Sequence, residues 1–192
     1  VVQKTLLKES YKMAETKFPM HVSPVGTASW PWLNKPDVRF DADGIYHVKL
    51  VMTKEESKKL ATVIKPLMNG GKHNPLKPEK DDQGNNTDNM VCQFKMKSVV
   101  KSRKGDFTQV PILLDKEGQR IDSTIGAGSK IKVAYQAVPF DQGGGGVTLR
   151  LRKVRVLDLV EYQGSTNDDL EWGEEFSQGA NVKDDDADGE DF

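Results

Sequence analysis

Apolar and polar positions alternate through Ile45-Tyr46-His47-Val48-Lys49-Leu50-Val51-Met52, the period of a strand with one buried face. The period then changes. Thr53-Lys54-Glu55-Glu56 has the spacing of a capping box, and Leu60, Val63, Ile64, Leu67 and Met68 recur at helical intervals. A helix is therefore predicted to about Met68, weakened near its end by Pro66 and stopped by Asn69-Gly70-Gly71. Upstream, residues 18–33 carry Pro19, Pro24 and Pro31 among apolar residues, which suits an extended or edge strand with Trp30 and Trp32 on one face. Turns are expected at Asn34-Lys35-Pro36-Asp37 and at Asp41-Ala42-Asp43-Gly44. Residues 72–89 hold almost nothing apolar and read as a long surface loop.

From residue 90 to residue 160 the pattern is one of strands and turns. Residues 90–102 and 107–114 are joined by the basic tip Arg103-Lys104-Gly105-Asp106, and Asp115-Lys116-Glu117-Gly118 makes the next turn. Residues 131–140 and 147–160 form a further pair, linked through Asp141, Gln142 and four glycines, with a bulge expected at Arg152-Lys153-Val154-Arg155. With the two early strands and one helix after the second, this predicts a mainly β domain of five or six strands, the size and order of a small closed barrel. Residues 1–17 are too irregular for a helix and read as an arm, residues 18–162 as the domain, and residues 163–192 as a flexible tail.

Charge sharpens this picture. Residues 167–192 hold eleven Asp or Glu against Lys183 alone, leaving 27 Lys and Arg against 18 acids in the rest of the chain. A solvated acidic block on a basic body is the footprint of a polyanion binder whose tail competes for the same surface. Solubility alone would also explain the acids, but not the closing Phe192, which beside Asp184, Asp185, Asp186, Asp188, Glu190 and Asp191 suits docking into a partner's pocket. The lone Cys92 and the absence of a leader pattern lead to the expectation of a reducing, cytoplasmic setting. No apolar run approaches the roughly 18 residues of a membrane span.

Catalytic and metal chemistry finds little support. Asp41-Ala42-Asp43-Gly44 places its glycine wrongly for a calcium loop, and Gly70-Gly71-Lys72-His73 lacks the remainder of a phosphate loop. His21, His47 and His73 lie far apart in sequence, and Cys92 reads as a buried thiol. No catalytic residue, metal or cofactor is expected. The basic positions are more informative. Lys95, Lys97, Lys101 and Arg103 share a parity, as do Arg150 and Arg152, and Lys35, Lys104, Lys130, Lys132 and Arg155 add to the pool. Each phosphate such a cation neutralises on a single strand makes affinity fall with salt by roughly 0.7 log units. Trp30, Trp32 and Phe107 are the best candidates for stacking on unpaired bases, whereas Phe94 and Tyr135 read as core.

The Gly126-Ala127-Gly128-Ser129-Lys130 lead-in, the last strand Val147-Thr148-Leu149-Arg150-Leu151-Arg152-Lys153-Val154-Arg155-Val156-Leu157 and the ending Glu190-Asp191-Phe192 together resemble the single-stranded DNA-binding proteins of bacteriophage replisomes. The resemblance implies an oligonucleotide-binding (OB) barrel that coats unwound DNA in phage replication, recombination and repair. It also implies a homodimer and a tail that docks on the phage DNA polymerase and helicase-primase, in the host cytoplasm. Cellular counterparts close their acidic run with Pro-Phe, whereas Asp191 precedes Phe192 here. An RNA-binding protein of the same fold, an acidic-tailed chaperone and a nuclease remain as alternatives at this point.

Overall fold

The computed structural model describes residues 18–162. The arm expected at residues 1–17 and the tail expected at residues 163–192 lie outside them. Among the described residues, ten strands and one α-helix follow in chain order: β1 (Met20–Val22), β2 (Gly26–Asp37), β3 (Ile45–Thr53), α1 (Lys54–Met68), β4 (Leu76–Lys80), β5 (Asn86–Lys97), β6 (Val99–Val100), β7 (Phe107–Thr108), β8 (Ile112–Leu114), β9 (Lys130–Phe140) and β10 (Gly146–Asp158). Five of the strands close a ring in which each pairs with the next, β9 to β2, β3, β5, β10 and back to β9. Every seam is antiparallel except that between β5 and β10. This is the five-stranded Greek-key barrel of the OB fold, with α1 after its second strand as the pattern predicts.

Alternation places the core. Tyr46, Val48, Leu50 and Met52 on β3 are buried, as are Cys92, Phe94 and Met96 opposite them on β5. Ile131, Val133, Tyr135 and Ala137 on β9 meet Leu149, Leu151, Val154 and Val156 from β10. The Phe94 and Tyr135 rings lie 5.1 Å apart and tilted by 55°, a favourable aromatic arrangement at the barrel's centre. On β10 the inward phase shifts between Leu151 and Val154 because Arg152 is an extra residue in the ladder, the bulge expected there.

The helix starts where the sequence places it. The Glu56 amide donates to Thr53 Oγ1 at 3.2 Å and the Thr53 amide to Glu56 Oε2 at 3.0 Å, closing the capping box. Leu60 and Ile64 are buried on the barrel side, and Asn69, with φ 42°, makes the left-handed C-cap. Beyond it the chain runs beside the β9–β10 connection. The Lys72 amide donates to Gly144 O and the His73 amide to Gly145 O, both at 3.0 Å, while the Val147 amide donates to His73 O at 3.1 Å. A Cβ on Gly71 would lie 2.6 Å from the Gly146 nitrogen, so this approach requires glycine.

Several expectations are corrected. Residues 34–37 are not a turn: β2 continues to Asp37, with register shifts between Ser29 and Trp32 and between Trp32 and Asp37. Pro31 and Pro36 fall within these interruptions, where a missing N–H removes no ladder bond. Trp30 takes a left-handed φ of 50° there, so the parity expected to put both tryptophans on one face does not run through. Residues 72–89 are not a loop but contain β4, hairpinned onto β5 through residues 81–85. Only Leu76 of β4 is buried, so no apolar alternation marks it. The Glu79 carboxylate secures the pair by accepting from Thr87 and Asn89 at 2.9 and 3.0 Å. The strand expected over residues 90–102 ends at Lys97 with only Val99–Val100 following, and residues 107–114 divide into β7 and β8.

Candidate nucleic-acid interface

On the outside of the barrel the register builds a row. Trp32 on β2 lies opposite His47 on β3, His47 opposite Lys95 on β5, and Lys95 opposite Arg150 on β10. Arg150 in turn lies opposite Gln136 on β9. Lys95 and Arg150 are exposed, while Trp32 and His47 are half-buried with ring centroids 6.5 Å apart. The neighbouring row runs from Asp37 through Ile45 to Lys97. His47, Lys95 and Lys97 thus lie on the second and third barrel strands, whose face takes oligonucleotides in barrels of this type, and Trp32 on the first strand and Arg150 on the fifth extend that face to either side.

The connection from β2 to β3 adds a charged cluster. Asp37, 4% exposed, accepts from Arg39 Nε and Nη2, both at 2.9 Å, and from the Arg39 amide at 3.0 Å. His47 Nε2 stands 3.2 Å from the same carboxylate. The Arg39 guanidinium holds the Asp37 carboxyl well below the usual carboxylate range, overcoming the opposing effect of desolvation, with the Arg39 amide and His47 assisting. The carboxylate is therefore ionised, His47 Nε2 is the donor, and His47 Nδ1 is left buried without a partner. The guanidinium carbon lies 4.9 Å from the Trp32 ring centre and 5.6 Å from that of Phe40. Lys35 Nζ lies 5.8 Å from the Trp32 ring. Asp37, Arg39, Phe40 and His47 were not among the candidates read from sequence. The signal was the acid and base two residues apart beside an aromatic in Asp37-Val38-Arg39-Phe40, close after Trp32 and Lys35.

No protein-family model matches the chain. Among curated proteins, the single-stranded DNA-binding protein of Enterobacteria phage T3 is 26% identical over 204 residues, covering 87% of each chain. That of Escherichia phage T7 is 28% identical over 118 residues, 56% of this chain and 50% of the other. The crystal structure of the single-stranded DNA binding protein encoded by bacteriophage T7 superposes with a TM-score of 0.64 at 21% identity, covering 80% of this chain and 98% of that one. The single-stranded DNA-binding protein from bacteriophage Enc34 in complex with ssDNA gives 0.55 at 16% identity, covering 76% and 89%. This chain resembles phage single-stranded DNA-binding proteins.

The remaining candidates scatter around this face. Trp30 is 66% exposed at the β2 bulge next to Trp32. Lys101 and Arg103 do not continue the row of Lys95 and Lys97, because β5 ends first. Lys101 pairs with Asp43 at 2.9 Å, while Arg103 and Lys104 stand exposed at the tip beyond β6 and Phe107, 52% exposed, begins β7. Arg152 is half-buried at the bulge and donates through Nε and Nη2 to Gln136 Oε1 at 2.9 and 2.8 Å. Lys132 and Arg155 face each other about 13 Å further along the strands from Arg150. Lys130 Nζ donates to Thr27 at 2.7 Å. The structure therefore gathers Trp32, Lys35, Lys95, Lys97 and Arg150, with Trp30 adjacent, and distributes the others around the barrel.

Among the described residues no group of three His, Cys, Asp or Glu side chains could hold a metal ion, and no helix is long and apolar enough to cross a membrane. Cys92 is 1% exposed, and burial pushes its thiol pKa up. The acidic residues near the end of the chain and Phe192 lie outside the described residues.

Proposed function

We propose that this protein binds single-stranded DNA without catalysis and coats unwound DNA during phage replication, recombination and repair, in the cytoplasm of the infected cell. The observation that carries the reading is the row Trp32, His47, Lys95 and Arg150, which sets a ring and cations side by side on adjacent strands. Cations track the phosphodiester backbone, and rings distinguish an unpaired strand from a duplex because only unpaired bases can stack on them. The resemblance to phage proteins that bear this activity in their names supports it. We further propose that residues 167–192, which carry a net ten negative charges, compete with DNA for the face and dock on the phage DNA polymerase and helicase-primase through Phe192. A homodimer is the proposed working unit.

Tryptophan fluorescence during titration with oligo-dT and with duplex of equal length tests the reading. Quenching, preference for the single strand and a steep loss of affinity with salt are expected, whereas equal or tighter duplex binding ends it. Deleting residues 167–192 is expected to raise oligo-dT affinity at low ionic strength and abolish capture of the polymerase. A truncated protein that binds no tighter refutes the competition.

A further inference from the structure

Asp37 is out of place. By charge alone, a carboxylate in the face proposed to take DNA weakens the grip on a polyanion. Its environment shows what it does instead. Both oxygens are committed to Arg39 in a bidentate fork, and the second also receives His47. A guanidinium held this way has lost much of its freedom before any ligand arrives, so ordering it on binding carries a smaller entropic penalty. It is held within reach of the Trp32 and Phe40 rings. His47 is oriented from the same carboxylate through Nε2, at 3.2 Å. Phe40 itself is 89% exposed, an isolated large ring beside a cation on the loop joining the first two barrel strands.

Resting on the reading that this face takes single-stranded DNA, we propose that Asp37 is the positioning residue of the interface. It locks Arg39 and His47 so that Trp32 and Phe40 form one rigid stacking platform for unpaired bases, and Phe40 is a base-contacting residue of that platform.

The test uses the full chain with Asp37→Asn, Arg39→Lys, the double variant and Phe40→Ala, following oligo-dT affinity at fixed salt, the salt slope and thermal unfolding. Removing one anion from the face should by charge alone strengthen binding about threefold. The proposal requires the opposite, a loss of about tenfold in D37N, with the salt slope unchanged because no phosphate contact is lost. R39K keeps the charge but not the fork and is expected to lose about as much, with the double variant no worse than either single one. F40A is expected to lose about tenfold with an unaltered melting temperature. Binding by D37N as tight as wild type or tighter, or losses that multiply in the double variant, overturns the proposal. Should D37N not fold, unchanged affinity in R39K or in F40A overturns it equally. A wild-type protein that does not bind oligo-dT refutes the functional reading itself, a different outcome from a normal wild type with indifferent variants.

Discussion

Replacing Lys95 and Arg150 together by alanine removes the two exposed cations that lie side by side where β5 meets β10. If each holds one phosphate, the slope of log affinity against log salt becomes shallower by about 1.4. With the electrostatic part vanishing near 1 M salt, the double variant then binds oligo-dT about 65-fold more weakly at 50 mM and only about 10-fold more weakly at 200 mM. The narrowing gap is the diagnostic. Both side chains are exposed and Arg150 gives up only its contact with the Phe18 ring, whose centre lies 5.9 Å from the guanidinium carbon, so stability should move by no more than about 1 kcal/mol, which urea unfolding checks. Fluorescence titrations at four salt concentrations give the two slopes. Parallel lines would mean that these side chains act without touching phosphates, and coincident lines would remove the row from the interface; either result refutes the argument.

Trp30→Gly is expected to be about 1 kcal/mol more stable than Trp30→Ala in urea unfolding, because glycine accepts the left-handed backbone at φ 50°, and both should bind oligo-dT more weakly. Glu56→Gln, which keeps the capping-box acceptor but removes its charge, is expected to cost about 0.5 kcal/mol at neutral pH. Glu56 is held below its ordinary value of 4.5 by the Thr53 amide and hydroxyl, so its contribution is full above that pH and lost as pH falls towards the folded value. The stability gap to wild type should therefore close on acidification, and a gap constant from pH 7 to pH 3 would contradict it. Cys92 is expected to resist a thiol reagent until the barrel opens, and stoichiometric labelling of the folded protein within minutes would contradict this.

The barrel was legible where one face of a strand is buried and the other wet. Tyr46-His47-Val48-Lys49-Leu50 and the ladder from Lys130 to Phe140 announce themselves, and Thr53 and Glu56 mark the helix start to the residue. β4 was not legible because almost nothing on it is buried, so burial leaves no periodic trace. β2 was misread for a related reason, since parity is lost at each register shift and its prolines imitate a turn. The interface was half legible. Lys95 and Arg150 followed from strand parity, but their adjacency rests on a parallel pairing of strands more than fifty residues apart. His47 lies far in sequence from the other histidines, and Asp37 and Arg39 acquire a role only because β2 reaches Asp37 and brings its carboxylate to the imidazole.

The seam between β5 and β10 has a consequence for the barrel as a whole. Closure there is defined by two residue pairs, Phe94 with Leu149 and Lys95 with Arg150, and the second sets like charges opposite each other, an arrangement that pushes strands apart. An anionic polymer laid across that join would cancel the repulsion and act as a clasp. The barrel should thus be most apt to gape on the face proposed to take DNA, and amide protons along this join should exchange more slowly once oligo-dT is added.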